Sequence, residues 1–141
     1  MRTKLAAVFL VALVSLPLLS QPETEEFKKA RSRGHTMACV SNVRNIVTAL
    51  ELYAAKNKGR YPDKLSELSP QYLRVLPTCP AAAKDVYSES YKAVNKKIEG
   101  KTGVSWRSRN SFCCAGNNHE LAGVKPDHPA WNSAKGFDEG R

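Results

Sequence analysis

The chain has 141 residues, a length that suits one domain with a single core of modest size. It carries 22 Lys and Arg against 13 Asp and Glu, so its formal net charge is +9. This charge permits contact with nucleic acid, phospholipid or acidic polysaccharide, but the basic residues are spread without a dense block, which favours a solvated basic surface. No glycine-rich phosphate loop, paired-carboxylate site or Cys-x-x-Cys motif occurs. No catalytic residue, metal site or cofactor is therefore predicted.

The first 20 residues have the pattern of a secretory leader. Arg2 and Lys4 precede an uncharged run at 5–19, and Ser20 provides a small residue where cleavage can occur. The run has fifteen residues, whereas a helix that spans a bilayer needs about 20. An uncleaved anchor that contacts the membrane through residues 5–19 is the alternative. Either interpretation predicts an exported protein that is periplasmic, at the cell surface or membrane-anchored.

A long amphipathic helix is predicted over residues 23–57. Apolar side chains recur there at spacings of three, four and seven, which places them on one helical face. An unbroken helix of this length would extend ~50 Å. A domain of this size cannot cover all of it, so its first third is expected to project into solvent or against a neighbour. The predicted core face consists of Cys39, Val43, Ile46, Leu50 and Tyr53.

The residues after the helix predict a structural corner rather than a ligand site. Gly59 can adopt the left-handed conformation that often follows the last helical turn. Pro62 then holds Tyr61 extended, so the chain leaves the helix in a fixed direction. Short helices are predicted next, over residues 63–73.

An antiparallel sheet is predicted over residues 86–138. Residues 87–93 alternate as a half-buried strand does, and the lysines and glycines of 95–103 predict a hairpin loop. A short edge strand is predicted near residues 136–137. The whole pattern indicates an α+β fold with a long N-terminal helix packed on a small antiparallel sheet. The second strand should carry Val104, Trp106, Phe112 and Cys114 on one face and Cys113 on the other.

Several stretches resemble a known family. Ala-Leu-Glu-Leu-Tyr-Ala-Ala-Lys-Asn, followed by Gly-Arg-Tyr-Pro, resembles the globular half of type IV pilins and of major type II secretion pseudopilins. Leu-Pro-Thr-Cys-Pro-Ala-Ala, Tyr-Ser-Glu-Ser-Tyr and Phe-Cys-Cys-Ala-Gly-Asn-Asn-His resemble a pilin-like subgroup with cysteines in the sheet. The resemblance covers roughly residues 30–137. Residues 1–30 lack the glycine cleavage site and the Phe-Thr-Leu-Ile-Glu segment of prepilins.

The resemblance implies a pilin-like fold and a non-enzymatic function. The chain would be an exported or envelope-anchored subunit related to type II secretion or type IV pilus systems. Its partners would be other pilin-like or secretion-system subunits.

Four cysteines, at positions 39, 79, 113 and 114, raise the question of a disulfide. Flanking prolines hold Cys79 extended, and Cys114 lies on the same side of the second strand as Phe112. Because export would place the domain where thiols oxidise, a Cys79–Cys114 bond is predicted. It would close a loop of about 35 residues. Cys39, on the core face of the helix, is either a buried free thiol or the alternative partner of Cys79.

Zinc ligation or a Cys/His catalytic pair can be considered for Cys114, His119 and His128. The sequence offers no recognisable fourth ligand for these three residues and no acidic group to orient a catalytic histidine. The simpler interpretation makes His119 a polar turn residue.

A second functional class is a minor pilin-like binding module. Basic residues alternate with aromatic ones along the predicted hairpin, a composition that can bind DNA or another anionic polymer. The candidate contacts are Lys96, Lys97, Lys101, Arg107 and Arg109.

Overall fold

The computed structural model describes residues 23–100 and 103–141, so the predicted leader and anchor lie outside the described residues. Helix α1 spans Glu25–Lys56, slightly less than the predicted range of 23–57. Thr24 caps it, because its Oγ1 accepts a hydrogen bond of 3.3 Å from the backbone N–H of Phe27. Two glutamates in the first turn complement the positive end of the helix dipole.

The two parts of α1 differ in burial. None of the residues 25–35 is buried, and the buried face begins at Thr36. From there, one stripe faces the core, while Arg44 and Glu51 on the other side are exposed. Tyr53 is half-buried at the edge of the core, where its ring lies 5.4 Å from that of Tyr72. The fully covered residues of α1 include Cys39, Val43, Ile46, Ala49 and Leu50.

A tight corner follows α1. Gly59 has a φ of +88°, and its N–H donates to the carbonyl of Ala54 at 2.8 Å. The side-chain amide of Asn95 then pairs with both backbone groups of Tyr61, at 3.1 and 3.0 Å. Tyr91 donates its hydroxyl to the carbonyl of Pro62 at 2.9 Å. These contacts attach the corner to the sheet.

The segment between the corner and the sheet is less regular than predicted. Instead of short helices over 63–73, it contains one 3₁₀ turn, Leu65–Leu68, followed by turns. The carboxylate of Glu67 accepts the N–H groups of Asp63 and Lys64, both at 2.9 Å, and so holds the start of this turn. Leu65 and Leu68 are buried in the core.

The prediction of a strand over residues 87–93 is wrong for the first half of that range. Tyr87–Ser90 forms a one-turn helix, α2, and the strand starts only at Lys92. The carboxylate of Asp85 accepts hydrogen bonds from the N–H groups of Tyr87 and Ser88, at 2.9 and 3.1 Å. This local capping stabilises a helical turn where alternation alone favoured a strand.

Four antiparallel strands form one sheet in the order β1-β2-β3-β4: Lys92–Gly100, Gly103–Cys113, Ala130–Asn132 and Gly136–Asp138. The first two pair from Lys92 opposite Ser111 to Gly100 opposite Gly103. The loop predicted over 95–103 is therefore mostly strand, because cross-strand pairing outweighs the low strand preference of lysine and asparagine.

The architecture is thus α+β, a long helix with a four-stranded antiparallel sheet. The core lies where the second part of α1 meets the 3₁₀ turn, α2 and the end of β2, with Tyr61, Tyr87 and Phe112 as its large aromatic members. In the described part of the chain, no helix is both long and apolar enough to cross a bilayer.

Candidate functional site

Three cysteines and one histidine meet in the core. Cys39, Cys79, Cys114 and His119 are all buried, and their sulfur and ring-nitrogen atoms lie within 4.8 Å of one another. His119 lies in a turn, as predicted, but its side chain is only 1% exposed and contacts Thr36, Cys79 and Cys114 instead of the backbone. Together the four residues offer three sulfur atoms and one imidazole nitrogen as possible metal ligands.

Each donor comes from a different segment of the fold. Cys39 lies on α1, and Cys79 lies in a turn held by the hydrogen bond between its N–H and the carbonyl of Lys84, at 2.9 Å. Cys114 directly follows β2, where its N–H donates to the carbonyl of Pro129 at 2.9 Å. His119 precedes a 3₁₀ helix, Glu120–Ala122, that packs against α1. The cluster therefore joins the helix, a loop and the end of the sheet.

Hydrogen bonds on the far side of the ring determine which nitrogen of His119 faces the sulfurs. Thr36 donates its hydroxyl proton to the carbonyl of Ser32 at 3.0 Å. The same oxygen lies 3.3 Å from Nδ1 of His119, and since its proton is already used, it accepts from Nδ1–H. In the neutral ring, this tautomer leaves a free lone pair on Nε2. Nε2 lies 3.4 Å from Sγ of Cys114 and 3.7 Å from Sγ of Cys79.

The predicted disulfide is not formed. The sulfurs of Cys79 and Cys114 lie 3.5 Å apart, whereas a bond requires about 2.05 Å, and all four cysteines are free thiols. The prediction brings Cys79 and Cys114 together and keeps Cys39 as an alternative partner of Cys79, but it does not place all three cysteines and His119 in one group. The donor atoms of Cys39 and His119 lie within 4.8 Å of the same two sulfurs, so Cys79 and Cys114 belong to a group of four side chains.

The three thiols do not ionise equally. The pKa of Cys79 lies well below its usual range, because Cys114 and Cys39 donate hydrogen bonds to its sulfur. The pKa of Cys114 lies far above its usual range, because the neighbouring sulfurs of Cys39 and Cys79, together with burial, disfavour its charged form. Negative charge in the cluster therefore concentrates first on Cys79.

Cys113 and His128 lie outside the cluster. Cys113 is half-buried on the opposite side of β2, and burial raises the pKa of its thiol. His128 lies 3.4 Å from a carboxylate oxygen of Asp138. Of the three residues considered for zinc from the sequence, Cys114 and His119 share a site and His128 does not.

A groove of about 840 Å³ lies next to Cys113. Ser90, Phe112, Asp127 and Trp131 contribute to its wall. Cys114 and His119 do not line it. The buried cluster and the groove are therefore separate features.

The predicted anionic-contact residues are divided between the two faces of the hairpin. Lys96 pairs directly opposite Arg107, and Arg109 is on the same exposed face. Lys97 lies on the other face, where it forms an ion pair of 2.6 Å with Glu99. Lys101 lies outside the described residues.

Comparison with known proteins gives no relative for this chain: no family model, curated protein or solved structure matches it. A function for this chain is therefore inferred from its own sequence and geometry.

The sequence contains one local signal for the cluster, the short spacing between Cys114 and His119, next to Asn118. That spacing alone does not indicate a metal site, because no other ligand of the cluster lies nearby in sequence. Cys39 and Cys79 approach only through the packing of α1 and the 77–84 loop, which a search for local spacing does not reveal.

Proposed function

We propose that the protein is a non-enzymatic, exported, pilin-like subunit related to type II secretion or type IV pilus systems. The observation that carries this proposal is the first part of α1. It continues the helix for eleven residues, 25–35, without burying a side chain, a length of about 16 Å. The resemblance to pilins implies a long helix packed on a small antiparallel sheet, and the length of that helix predicts that its first part projects.

Exposed apolar side chains support a contact between subunits along α1. Phe27 is 54% exposed and Met37 is 61% exposed, although both are large and apolar. A neighbouring helix that covers them would gain roughly 25 cal/mol for each Å² of apolar surface removed from water. The partners are other copies of this chain or other pilin-like subunits.

A non-catalytic role agrees with the position of the nucleophilic groups. The thiols of Cys39, Cys79 and Cys114 are fully buried, so a substrate has no access to them without opening the core. The more accessible Cys113 has a raised pKa, which lowers the fraction of reactive thiolate.

Site-specific photo-crosslinking in the full-length chain tests the subunit contact. A photoreactive residue at Phe27 or Met37, in a bacterium with type II secretion machinery, should give adducts with a second copy or a pilin-like subunit. The matched control is Val75, which is 73% exposed but does not belong to α1. Equal yields at Phe27 and Val75 would contradict the proposal.

Export is tested separately by mass spectrometry of the native N-terminus after cell fractionation. Cleavage near Ser20, or an intact N-terminus in the membrane fraction, supports an exported subunit. An intact chain in the cytoplasmic fraction refutes it.

The outward face of the hairpin supports a second candidate, a binding module for DNA. Four cations share this face, and within the described parts of β1 and β2 no acidic residue interrupts them: Lys92, Lys96, Arg107 and Arg109. Like charges placed directly opposite each other disfavour the sheet. An anionic polymer would offset this repulsion.

Salt-dependent binding to duplex DNA tests this candidate. Replacing both Lys96 and Arg107 with Glu should weaken binding and lower the slope of log K against log salt by about 0.9 for each phosphate that is no longer neutralised. Lys97→Glu, on the opposite face, is compared with the single variant Lys96→Glu, which makes the same change in net charge. Binding that is independent of salt, or equally weakened by the control, excludes the hairpin as a DNA site.

A further inference from the structure

We propose that Cys39, Cys79, Cys114 and His119 form a closed, structural Zn²⁺ site. This inference does not depend on the proposed pilin-like function, since it rests on the geometry of one buried cluster.

The distances between the donors suit a tetrahedral zinc ion. Zn–S bonds of about 2.3 Å and Zn–N bonds of about 2.0–2.1 Å, at tetrahedral angles, place two sulfurs about 3.8 Å apart and a sulfur about 3.6 Å from the nitrogen. Sγ of Cys79 and Sγ of Cys114 lie 3.5 Å apart. Nε2 of His119 lies 3.4 and 3.7 Å from Sγ of Cys114 and Sγ of Cys79. Sγ of Cys39 lies within 4.8 Å of the other three donor atoms, so it supplies the fourth corner after a small contraction.

Two of the three sulfurs also have a hydrogen-bond neighbour outside the cluster, as zinc-bound thiolates do. The hydroxyl of Tyr87 lies 3.0 Å from Sγ of Cys39, and the side-chain amide of Asn118 donates to Sγ of Cys114 at 3.6 Å. These groups act as a second shell that spreads the charge of bound thiolates.

The histidine is prepared for the same role. Thr36 accepts from Nδ1–H, which fixes the tautomer in which Nε2 is a free lone pair directed at the sulfurs. A ligating histidine usually donates its other ring N–H to an oxygen in this way.

The donor set selects the metal. Three thiolates and one imidazole in a tetrahedron favour Zn²⁺ over the harder Mg²⁺ and Ca²⁺, which prefer oxygen ligands. All four positions are filled by protein, so no coordination position remains for water or substrate. The site is therefore structural and not catalytic.

On binding, the three thiols lose their protons to solvent and three Zn–S bonds form, while the neutral imidazole forms the fourth bond. Zinc keeps its oxidation state, so no electron donor or acceptor is needed. The bound group has a net charge of −1, which the surrounding N–H and O–H groups disperse.

Native mass spectrometry and metal analysis of the purified full-length chain test the proposal. We expect one zinc per chain, and Co²⁺ exchanged into the site should show the absorption of tetrahedral, thiolate-bound cobalt. Cys39→Ser, Cys79→Ser and Cys114→Ser should each lose the metal. Cys113→Ser and His128→Gln are the matched controls and should retain it.

A ligand variant that fails to fold would leave the cause of metal loss ambiguous, so two further measurements are included. His119→Cys keeps four donors and should still bind cobalt, with a spectrum shifted by the added thiolate. A chelator added to the wild-type chain should lower its thermal midpoint, and zinc should restore it.

The proposal is overturned by a chain that contains a Cys79–Cys114 disulfide and takes up no zinc after reduction. It is also overturned if the chain has free thiols and does not bind added Zn²⁺, or if Cys113→Ser loses the metal as completely as Cys114→Ser.

Discussion

Helix α1 is continuous, but its exposed part and its packed part are stabilised by different interactions. Residues 25–35 are stabilised by local groups, such as the cap at Thr24 and the 2.9 Å ion pair between Glu25 and Lys28. From Thr36 onward the helix is held by burial. Isolated helices of fewer than about 12–15 residues are marginal in water. The exposed part therefore depends on the packed part to stay helical.

The largest expected effect lies in the packed part. Leu50→Ala should lower the free energy of unfolding by ~2–5 kcal/mol, because Leu50 is fully buried and its removal leaves a cavity. Chemical denaturation of the full-length chain measures this. Leu52→Ala, at a position 52% exposed on the same helix, should change it by less than ~0.5 kcal/mol. Equal losses in the two variants would mean that the buried face is assigned wrongly.

Thr36, at the boundary between the two parts, should control metal affinity. Thr36→Val removes the oxygen that accepts from Nδ1–H of His119, so Zn²⁺ affinity should fall ~10–100-fold in a chelator competition assay. Thr48→Val is the control, because Thr48 donates to the carbonyl four residues earlier, at 3.1 Å, without a histidine partner. An unchanged affinity in Thr36→Val would show that the tautomer of His119 is set by other groups.

In the exposed part, a substitution should stabilise the protein. A Cβ at Gly34 would meet no heavy atom within 4 Å, and alanine is a better helix former than glycine, so Gly34→Ala should add ~0.5–1 kcal/mol. Thermal denaturation and helical circular dichroism would both report the gain. Gly59→Ala should instead destabilise the chain, because Gly59 has a positive φ and its Cβ would lie 3.2 Å from the carbonyl oxygen of Trp106.

A pH dependence is also expected where Tyr61 donates a hydrogen bond to Glu51 on the packed part of α1. Burial, together with a 2.8 Å hydrogen bond to Glu51, raises the pKa of Tyr61 to about 12. The folded chain therefore holds this proton more tightly than the unfolded chain, in which the pKa is about 10. The resulting stability is complete below pH ~10 and is lost as the pH rises towards ~12. In Tyr61→Phe, the urea midpoint should fall less steeply with rising pH than in the wild-type chain between pH ~10 and ~12. The same fall in both chains would exclude a contribution from Tyr61.

The fold is largely predictable from the sequence where side-chain periodicity decides the structure. The stripe of α1 and the Gly59 corner depend on local spacing and on backbone preference, which the sequence displays. The prediction for residues 87–90 fails because Asp85, outside the apparent strand, supplies the cap for a helical turn. The lysines at 95–100 suggest a loop, yet their pairing partners on β2 place them in a strand.

The candidate site is much less predictable. Its four donors come from segments that only tertiary packing brings together, so no motif of fixed spacing contains them. The sequence does indicate that Cys79 and Cys114 lie close to each other. It cannot indicate that Cys39 and His119 complete the group, since this follows from the rotation of α1 and from the hydrogen bond between Thr36 and His119.

Strand β1 lies at one edge of the sheet, so among the described residues one row of its backbone N–H and carbonyl groups has no neighbouring strand. A free edge of nine residues is long enough to recruit a strand from another molecule and begin aggregation. Lysine occupies three of these nine positions: Lys92, Lys96 and Lys97. Two such edges would repel each other on approach, and this repulsion protects a concentrated protein from uncontrolled sheet extension.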